Sequence, residues 1–269
     1  METLFTPRLK VHLLRNFNLF CSLFLINQAT AIEFIAHRGE SANHKENTVM
    51  AIKAAIDSKF DYIEIDVQKS KDDEIIVIHD DSIDRTTNLK GLVSDYTLKD
   101  LKLIDPTIPT LSEVLALFKN TSIPLIIEVK NSGDINEGIE KIIVKQVKES
   151  GLKNIIYKSF TKRVLNRFRQ LDDKKLIYVT IGDLPLALYI DDWLRFGSIF
   201  DFENVDYYQV HRKLMNRRAK IKAKRNGAKL IAWDVQNIAT VNEMIKLGVD
   251  IIETDHPPAS FTENPSFSK

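Results

Sequence analysis

Short runs of β-branched and apolar residues alternate with amphipathic segments from Ile32 onward. The runs predict eight strands: Glu33–Ala36, Tyr62–Val67, Leu125–Val129, Asn154–Lys158, Leu176–Thr180, Tyr207–Val210, Lys229–Trp233 and Asp250–Thr254. Most of these strands are separated by segments whose apolar residues recur at helical spacing: Thr48–Ser58, Ile135–Ser150, Lys162–Leu171, Asn216–Arg225 and Ala239–Leu247. Strands that alternate with helices pair in parallel through right-handed crossovers. The pattern predicts a (β/α)8 TIM barrel; a doubly wound open sheet is the alternative, disfavoured because no glycine-rich turn follows the first strand.

An additional short strand, Ile75–Ile78, and a helix, Leu111–Lys119, interrupt the repeat after the second strand. They predict a small insertion after strand 2. Because no linker or internal repeat divides the remainder, residues 32–269 are predicted to form a single domain.

The first 31 residues differ in character from the rest of the chain. Three basic residues, Arg8, Lys10 and Arg15, precede an apolar run, Phe17–Ile26, and small residues follow it up to Ala31. This order is typical of a secretory signal peptide, and the run is too short to span a bilayer. Residues 1–31 are therefore predicted to be a signal peptide, with export to the periplasm or the medium. An uncleaved anchor, an organelle presequence, and a cytoplasmic protein with a mis-assigned start are the alternatives.

Composition excludes several classes of function. The chain has 269 residues, a formal net charge of +1, one cysteine and nine glycines. A near-neutral chain is not expected to bind nucleic acid, and one cysteine rules out a zinc ribbon or an iron–sulfur cluster. Neither GxGxxG nor GxxxxGK[ST] occurs in the sequence. Any phosphate must therefore be bound by side chains or by a metal ion.

Acidic residues lie on predicted strands 2 and 3. Glu64 and Asp66 are two positions apart, as are Glu128 and Lys130, so each pair points to one side of its strand. The residues between them are apolar, which directs the acids into the barrel mouth, where catalysis occurs in this fold. Converging carboxylates require a cation, and oxygen ligands suit Mg²⁺ or Ca²⁺. Buried ion pairs, for example of Glu128 with Lys130 or with Arg38, are the alternative.

Two histidines follow predicted strands at the same end of the barrel. His37 ends the first strand, and His79 ends the additional strand of the insertion. Histidine titrates near neutral pH, so the pair is predicted to supply a general acid and a general base. The sequence leaves open which is which. His211 follows strand 6 and is interpreted as structural or peripheral.

An ordered set of motifs resembles the glycerophosphodiester phosphodiesterase family. Each short motif alone is weak evidence for the family, but the order and spacing of the whole set along most of the chain are specific to it. The motifs are Ala36-His37-Arg38-Gly39, Glu46-Asn47-Thr48, Tyr62–Val67, His79-Asp80, Asp84-Arg85-Thr86-Thr87, Ile108-Pro109-Thr110-Leu111, Ile127-Glu128-Val129-Lys130, Ser159-Phe160, Trp233, Gly248-Val249-Asp250 and Thr254-Asp255-His256-Pro257.

The resemblance implies a TIM barrel of the compact type, with an insertion over about Lys69–Ile108. It also implies roles for matching residues: metal ligands Glu64, Asp66 and Glu128, catalytic His37 and His79, phosphate contacts Arg38 and Lys130, and a glycerol-pocket wall at Trp233. Two positions depart from the family pattern. Lys45 stands where proline is usual, and Asp234-Val235-Gln236 replaces Thr-Val-Asn.

The resemblance implies hydrolysis of a small-molecule glycerophosphodiester to glycerol 3-phosphate and an alcohol, with one divalent cation, Mg²⁺ or Ca²⁺. A lysophospholipase D-type enzyme of the same superfamily is the nearest alternative, because the aromatic segment that contains Tyr189, Trp193, Phe196 and Phe200 could contact a membrane peripherally. A catalytically silent binding scaffold is the non-enzyme alternative. Nine basic residues and no acids lie between Asp206 and Asp234, and this run is interpreted as a solvated helix face.

Overall fold

The computed structural model describes residues 32–130, 136–180 and 202–261. Within these ranges the strands are β1 (Glu33–Ala36), β2 (Tyr62–Lys69), β3 (Ile75–Val77), β4 (Leu125–Val129), β5 (Ile155–Ser159), β6 (Lys175–Val179), β7 (Tyr207–His211), β8 (Lys229–Trp233) and β9 (Ile251–Thr254). The helices are α1 (Val49–Asp57), α2 (Leu98–Ile104), α3 (Leu111–Leu117), α4 (Ile139–Ser150), α5 (Lys162–Leu171), α6 (Arg217–Arg225) and α7 (Ile238–Leu247).

The strands form one sheet that closes on itself. Its order is β1-β9-β8-β7-β6-β5-β4-β2-β3, and β1 also pairs with β2. The pairs around the ring are parallel, whereas β3 is antiparallel to β2 and lies outside the ring. The register sets Asp66 opposite Glu128, and Glu128 opposite Lys158. The predicted (β/α)8 TIM barrel is confirmed.

Helix ends follow local sequence signals. Thr48 caps α1 by accepting a hydrogen bond from the Ala51 N–H, and Thr110 and Glu113 form a capping box at α3. A cap of this kind stabilises a helix by about 1 kcal/mol. Helix α4 begins at Ile139 rather than at the predicted Ile135, because Gly138 adopts a left-handed conformation with a φ of 78°.

Side chains alternate between the barrel interior and the helical layer. On β2 and β4 the outward positions pack under the helices, and their residues are Ile63, Ile65, Val67, Ile127 and Val129. A separate interior cluster fills the barrel, with Ile35, Ile126, Ile156, Ile177, Val179, Tyr207, Ile231 and Ile251. The predicted alternation is therefore confirmed, and it leaves the charged residues of β2 and β4 pointing inward.

The insertion after β2 has a small apolar core of its own. It comprises β3, a 3-10 turn (Val93–Asp95) and α2. Its buried side chains are Ile76, Ile78, Ile83, Val93, Leu101 and Ile108. This core anchors the segment that carries His79 beside the barrel mouth.

Two predictions fall on residues that the structure does not describe. The predicted signal peptide, residues 1–31, and the aromatic residues Tyr189, Trp193, Phe196 and Phe200 lie outside the described ranges. Across the described ranges, the protein has no helix with the length and apolar character that a bilayer crossing requires.

Candidate active site

Three carboxylates converge at the carboxyl end of the barrel strands. Glu64 and Asp66 extend inward from β2, and Glu128 extends inward from β4. One oxygen atom from each lies within 4.8 Å of the others, and all three side chains are buried. The structure thus brings together the residues predicted as metal ligands.

Asp66 is held from two sides. Asn47 Nδ2 donates to Asp66 Oδ2 at 2.9 Å, and the Asp66 N–H donates to Asn47 Oδ1 at 3.1 Å. Arg38 Nε lies 3.4 Å from the same Oδ2 atom. Asp66 Oδ1 is buried and lies 3.0 Å from Lys130 Nζ, but that contact lacks hydrogen-bond alignment, and the atom accepts no hydrogen bond from the described residues.

A second lysine, which is fully buried, also contacts the carboxylates. Lys158 Nζ is 2.9 Å from Glu128 Oε2, 3.3 Å from Glu64 Oε1 and 2.7 Å from Glu253 Oε1. Burial would lower the pKa of Lys158, but the three carboxylates outweigh it and raise that pKa well above its ordinary value. Lys158 is therefore a permanent cation inside the barrel, and sequence analysis did not identify it.

The carboxylates differ in their affinity for protons. Burial and the charge of Asp66 raise the pKa of Glu64 to about 8. Burial also opposes the ionisation of Glu128, but Lys130 and Lys158 lower its pKa to about 2. For Asp66, burial is outweighed by the positive charges of Lys130 and its neighbours, and its pKa falls below the ordinary value.

The donor set fits a hard divalent cation. It consists of carboxylate oxygens alone, as Mg²⁺ and Ca²⁺ prefer, and softer ions would favour nitrogen or sulfur ligands. The buried Oδ1 atom of Asp66, without an aligned donor among the described residues, provides an acceptor that such an ion would satisfy.

His37 has a carboxylate partner from the last strand of the barrel. His37 Nδ1 lies 2.8 Å from Asp255 Oδ1, and Asp255 is held in turn by Ser41 Oγ at 2.9 Å and Gln236 Nε2 at 2.9 Å. Burial lowers the pKa of His37, but the hydrogen bond to Asp255 and the charge of Glu253 outweigh it and raise that pKa above 6.5.

His79 has a carboxylate partner of its own. Its Nδ1 contacts Asp80, which accepts a hydrogen bond from Arg85 Nε at 2.6 Å. Arg85 also binds Glu46 at 2.6 Å and 2.9 Å, and Glu46 contacts Arg38 at 3.1 Å. Burial lowers the pKa of His79 below 6.5, with help from the charges of Lys130 and Arg38. The network therefore links the insertion to the barrel, and it leaves the two histidines with opposite pKa shifts.

The turn after β1 needs an unusual backbone. Arg38 and Gly39 both have positive φ values, 60° and 77°. A Cβ atom on Gly39 would lie 2.7 Å from the Ala51 carbonyl carbon, so helix α1 approaches too closely for any other residue. This turn also points the Arg38 N–H at Glu64 Oε2, at 3.0 Å. Glycine is required here because it allows α1 to pack against the site.

Trp233 lies at the end of β8, beside Phe160 and His211. Both contacts are edge-to-face, with ring centroids 6.2 Å and 4.9 Å away. The indole Nε1 is buried and has no hydrogen-bond partner among the described residues. Trp233 therefore forms an apolar wall whose indole N–H has no partner among the described residues. The ring of His211 is buried against Trp233, which agrees with the interpretation of His211 as a structural residue.

A TIM barrel with two histidines beside an all-oxygen cation site has the plan of a hydrolase for phosphate esters. Residues 37–259 match the model of the glycerophosphoryl diester phosphodiesterase family. The chain belongs to this family, which confirms the resemblance and the predicted enzyme class.

Relatives and solved structures agree with this assignment. The chain is 40% identical to the glycerophosphodiester phosphodiesterase of Bacillus altitudinis over 242 residues, which cover 84% of the chain and 95% of the relative. It is 36% identical to that of Caldanaerobacter subterraneus over 241 residues, with coverages of 83% and 93%. The solved structure of an Oleispira antarctica phosphodiesterase, at 24% identity, has the same fold, with a TM-score of 0.72 and coverages of 84% and 94%.

Proposed function

We propose that the chain hydrolyses glycerophosphodiesters to glycerol 3-phosphate and an alcohol, with one divalent cation, Mg²⁺ or Ca²⁺. The observation that carries this proposal is the convergence of Glu64, Asp66 and Glu128 within 4.8 Å beside two carboxylate-paired histidines. The named relatives are glycerophosphodiester phosphodiesterases, and the Oleispira antarctica structure holds sn-glycerol-3-phosphate as product.

Charge stabilisation is the main requirement of this reaction. A phosphodiester resists attack because its non-bridging oxygens are negative, and its transition state gains further charge. A cation held by the three carboxylates would polarise a phosphoryl oxygen. Arg38 and Lys130 are the proposed direct contacts to phosphate: both contact Asp66, and their side chains are 17% and 19% exposed, so they border the mouth.

The two histidines are proposed to divide the proton transfers. His37 is the proposed general acid, because the contact of its Nδ1 with Asp255 and its raised pKa both favour the protonated ring. Arg38 Nε donates to His37 Nε2 at 3.2 Å, so this contact must open when Nε2 carries the proton. His79 is the proposed general base, because the lowered pKa keeps it neutral at pH 6.5 and above. Opposite shifts of this kind assign acid and base in other enzymes. His37 would protonate the leaving alcohol, and His79 would take the proton of the attacking hydroxyl or water.

Trp233 is proposed to form one wall of the glycerol pocket. Its indole N–H, which has no partner among the described residues, is proposed to donate to a glycerol or phosphate oxygen, and its edge-to-face contacts fix the ring plane. The neighbouring Gln236 is one of the departures from the family pattern. Its Nε2 donates to Asp255, the partner of His37, so we propose that Gln236 positions Asp255 and His37 rather than binding substrate.

The test is a hydrolysis assay on glycerophosphocholine with Mg²⁺, Ca²⁺ or excess chelator. His37→Ala and His79→Ala should each lose most of the turnover, since each proton transfer contributes about 10²–10⁴-fold. His44→Ala is the matched control, because Glu40, at 3.7 Å, is the one ion-pair partner of His44 in the described part of the chain, and the variant should retain activity. Full turnover in either site variant, or in chelator, would refute the proposal. Faster hydrolysis of micellar lysophosphatidylcholine would favour the lysophospholipase alternative.

A further inference from the structure

One level of the barrel interior is polar, although such levels usually hold bulky apolar residues. Its four buried side chains come from alternate strands, β2, β5, β7 and β9, and are Glu64, Lys158, Gln209 and Glu253. They are joined side to side: Lys158 Nζ donates to Glu253 Oε1 at 2.7 Å, and Gln209 Nε2 donates to Glu253 Oε2 at 2.6 Å. Glu253 and Gln209 thus fix the position of the Lys158 ammonium.

The ammonium faces two of the three proposed metal ligands from below. It contacts Glu64 Oε1 at 3.3 Å and Glu128 Oε2 at 2.9 Å. Lys158 is 2% exposed, so it cannot exchange these contacts for water. Lys130 differs, because its side chain is 19% exposed at the mouth and can withdraw into solvent. One oxygen of Glu64 and one of Glu128 therefore always face this positive charge. The other oxygen of Glu64 accepts the neutral Arg38 N–H, and the other oxygen of Glu128 contacts the more exposed Lys130.

We propose that Lys158, held by Glu253, opposes the binding of a cation through both oxygens of Glu64 or of Glu128 and thereby makes the site select Mg²⁺ over Ca²⁺. The inference rests on the proposed function only in that it requires a divalent cation at these carboxylates.

The physical reason is the number of oxygens that each ion requires. Ca²⁺ takes about 6–8 oxygens and commonly binds a carboxylate through both of its atoms. Mg²⁺ is smaller, is octahedral, keeps several waters and needs only one or two carboxylates through single atoms. A lysine whose charge opposes two-oxygen binding at two ligands therefore reduces the binding of Ca²⁺ more than that of Mg²⁺.

The test is calorimetric titration of the metal-free full-length protein with MgCl₂ and with CaCl₂. The variant is Lys158→Met with Glu253→Gln, which removes both charges together, because removal of one would leave an unpaired buried ion. Mutation of a residue that orients metal ligands typically changes the affinity for the metal by about 10–100-fold. We expect wild type to bind Mg²⁺ more tightly, and the ratio of the two dissociation constants to shift at least about tenfold toward Ca²⁺ in the variant.

A control and a second variant make the result decisive. Lys220→Met removes a lysine whose partner, Asp250, lies away from the site, and it should leave the ratio unchanged. A purely structural role for Lys158 would weaken both ions equally, and an unchanged ratio overturns the proposal. If thermal unfolding shows that the first variant is not folded, Lys158→Gln with Glu253→Gln replaces it. If that also fails to fold, tighter binding of Ca²⁺ by wild type overturns the proposal, and tighter binding of Mg²⁺ supports it.

Failure of this inference is distinguishable from failure of the proposed function. Ion binding is measured without turnover, so a shifted ratio in a protein that hydrolyses no glycerophosphodiester would refute the function and retain the inference. If the protein hydrolyses the substrate but the variant leaves the ratio of the Mg²⁺ and Ca²⁺ dissociation constants unchanged, the proposed function stands and the inference about Lys158 is wrong.

Discussion

Replacement of Asp255 by asparagine tests the assignment of His37 as the general acid. Asp255 lies 218 residues from His37 in sequence and contacts its Nδ1 atom at 2.8 Å. His37 and Ser41 both bind Asp255 Oδ1, and the oxygen of an asparagine can accept from both. The Oδ2 atom accepts from Gln236 Nε2, and an asparagine NH₂ group cannot accept this bond, so the Gln236 contact is lost. The change therefore removes a charge beside His37 and keeps the contacts on the His37 side.

The expected shift follows from the strength of the lost interaction. A hydrogen bond to a charged group exceeds a neutral one by about 1–1.5 kcal/mol, and 1.36 kcal/mol corresponds to one pKa unit. Two unit charges about 4 Å apart interact by about 4 kcal/mol near a protein surface, which sets an upper limit of about three units. Because the Asp255 side chain is 34% exposed, water screens it. We expect the pKa of His37 to fall by about one unit.

The assay is the pH profile of kcat/KM on glycerophosphocholine. A protonated acid and a neutral base give a bell-shaped profile. The raised pKa of His37 sets the alkaline limb above pH 6.5, and the lowered pKa of His79 sets the acid limb below it. Loss of the negative charge at residue 255 makes His37 lose its proton at a lower pH. Asp255→Asn should therefore move the alkaline limb down by about one pH unit and leave the acid limb in place.

Asp80→Asn is the matched control, since Asp80 is the partner of the other histidine. It removes a charge that stabilises protonated His79, so it should move the acid limb to lower pH and leave the alkaline limb unchanged. If Asp255→Asn moves the acid limb instead, the two histidines have the opposite roles. If it moves neither limb, Asp255 does not tune His37, and the reasoning is wrong.

Three further changes test other parts of the molecule. Gly39→Ala should destabilise the fold and abolish activity, because its Cβ would lie 2.7 Å from Ala51 backbone; a wild-type melting temperature would contradict this close packing. Trp233→Phe keeps the apolar wall but removes the free indole donor, so KM should rise by about tenfold with little change in kcat; an unchanged KM would show that the donor does not reach substrate. We predict that an exporting host removes residues 1–31 and that bulky residues in place of Ala29 and Ala31 block this cleavage. N-terminal sequencing of the purified proteins measures the cleavage, and an intact Met1 in wild type would refute export by cleavage.

Alternation along single strands made much of the site predictable. Glu64 and Asp66 are separated by an isoleucine, and the same holds for Glu128 and Lys130 with a valine. A strand with apolar residues at every second position fixes which face its acids share, and parallel strands bring their carboxyl ends together. The convergence of these acids follows from those two facts and needs no tertiary information.

Partners on distant segments could not be predicted in this way. Lys158 faces Glu64 across 94 residues, and Arg85 reaches Glu46 across 39. Nothing in the local pattern distinguishes Lys158 from a solvated residue at a strand end. Its inward position emerges only from the register with Glu128 on the neighbouring strand. Asn47 and Asp255 were recognised as motif members, but their contacts with Asp66 and His37 required the closed barrel.

The charges at the centre of the barrel connect the cation site to the choice of substrate. Four carboxylates are buried there: Glu64, Asp66, Glu128 and Glu253. The cationic side chains that contact them among the described residues are Arg38, Lys130 and Lys158, which leaves 4 − 3 = 1 excess negative charge. That count takes Glu64 as ionised; burial and the charge of Asp66 raise its pKa to about 8, so without a cation it holds a proton at neutral pH and the excess is absent. A divalent cation that displaces this proton would leave one net positive charge, which the proposed phosphodiester monoanion would neutralise. A phosphomonoester product carries about −1.5 to −2 charges at neutral pH and would restore a negative excess, so the cluster proposed to bind the diester would also favour release of the product.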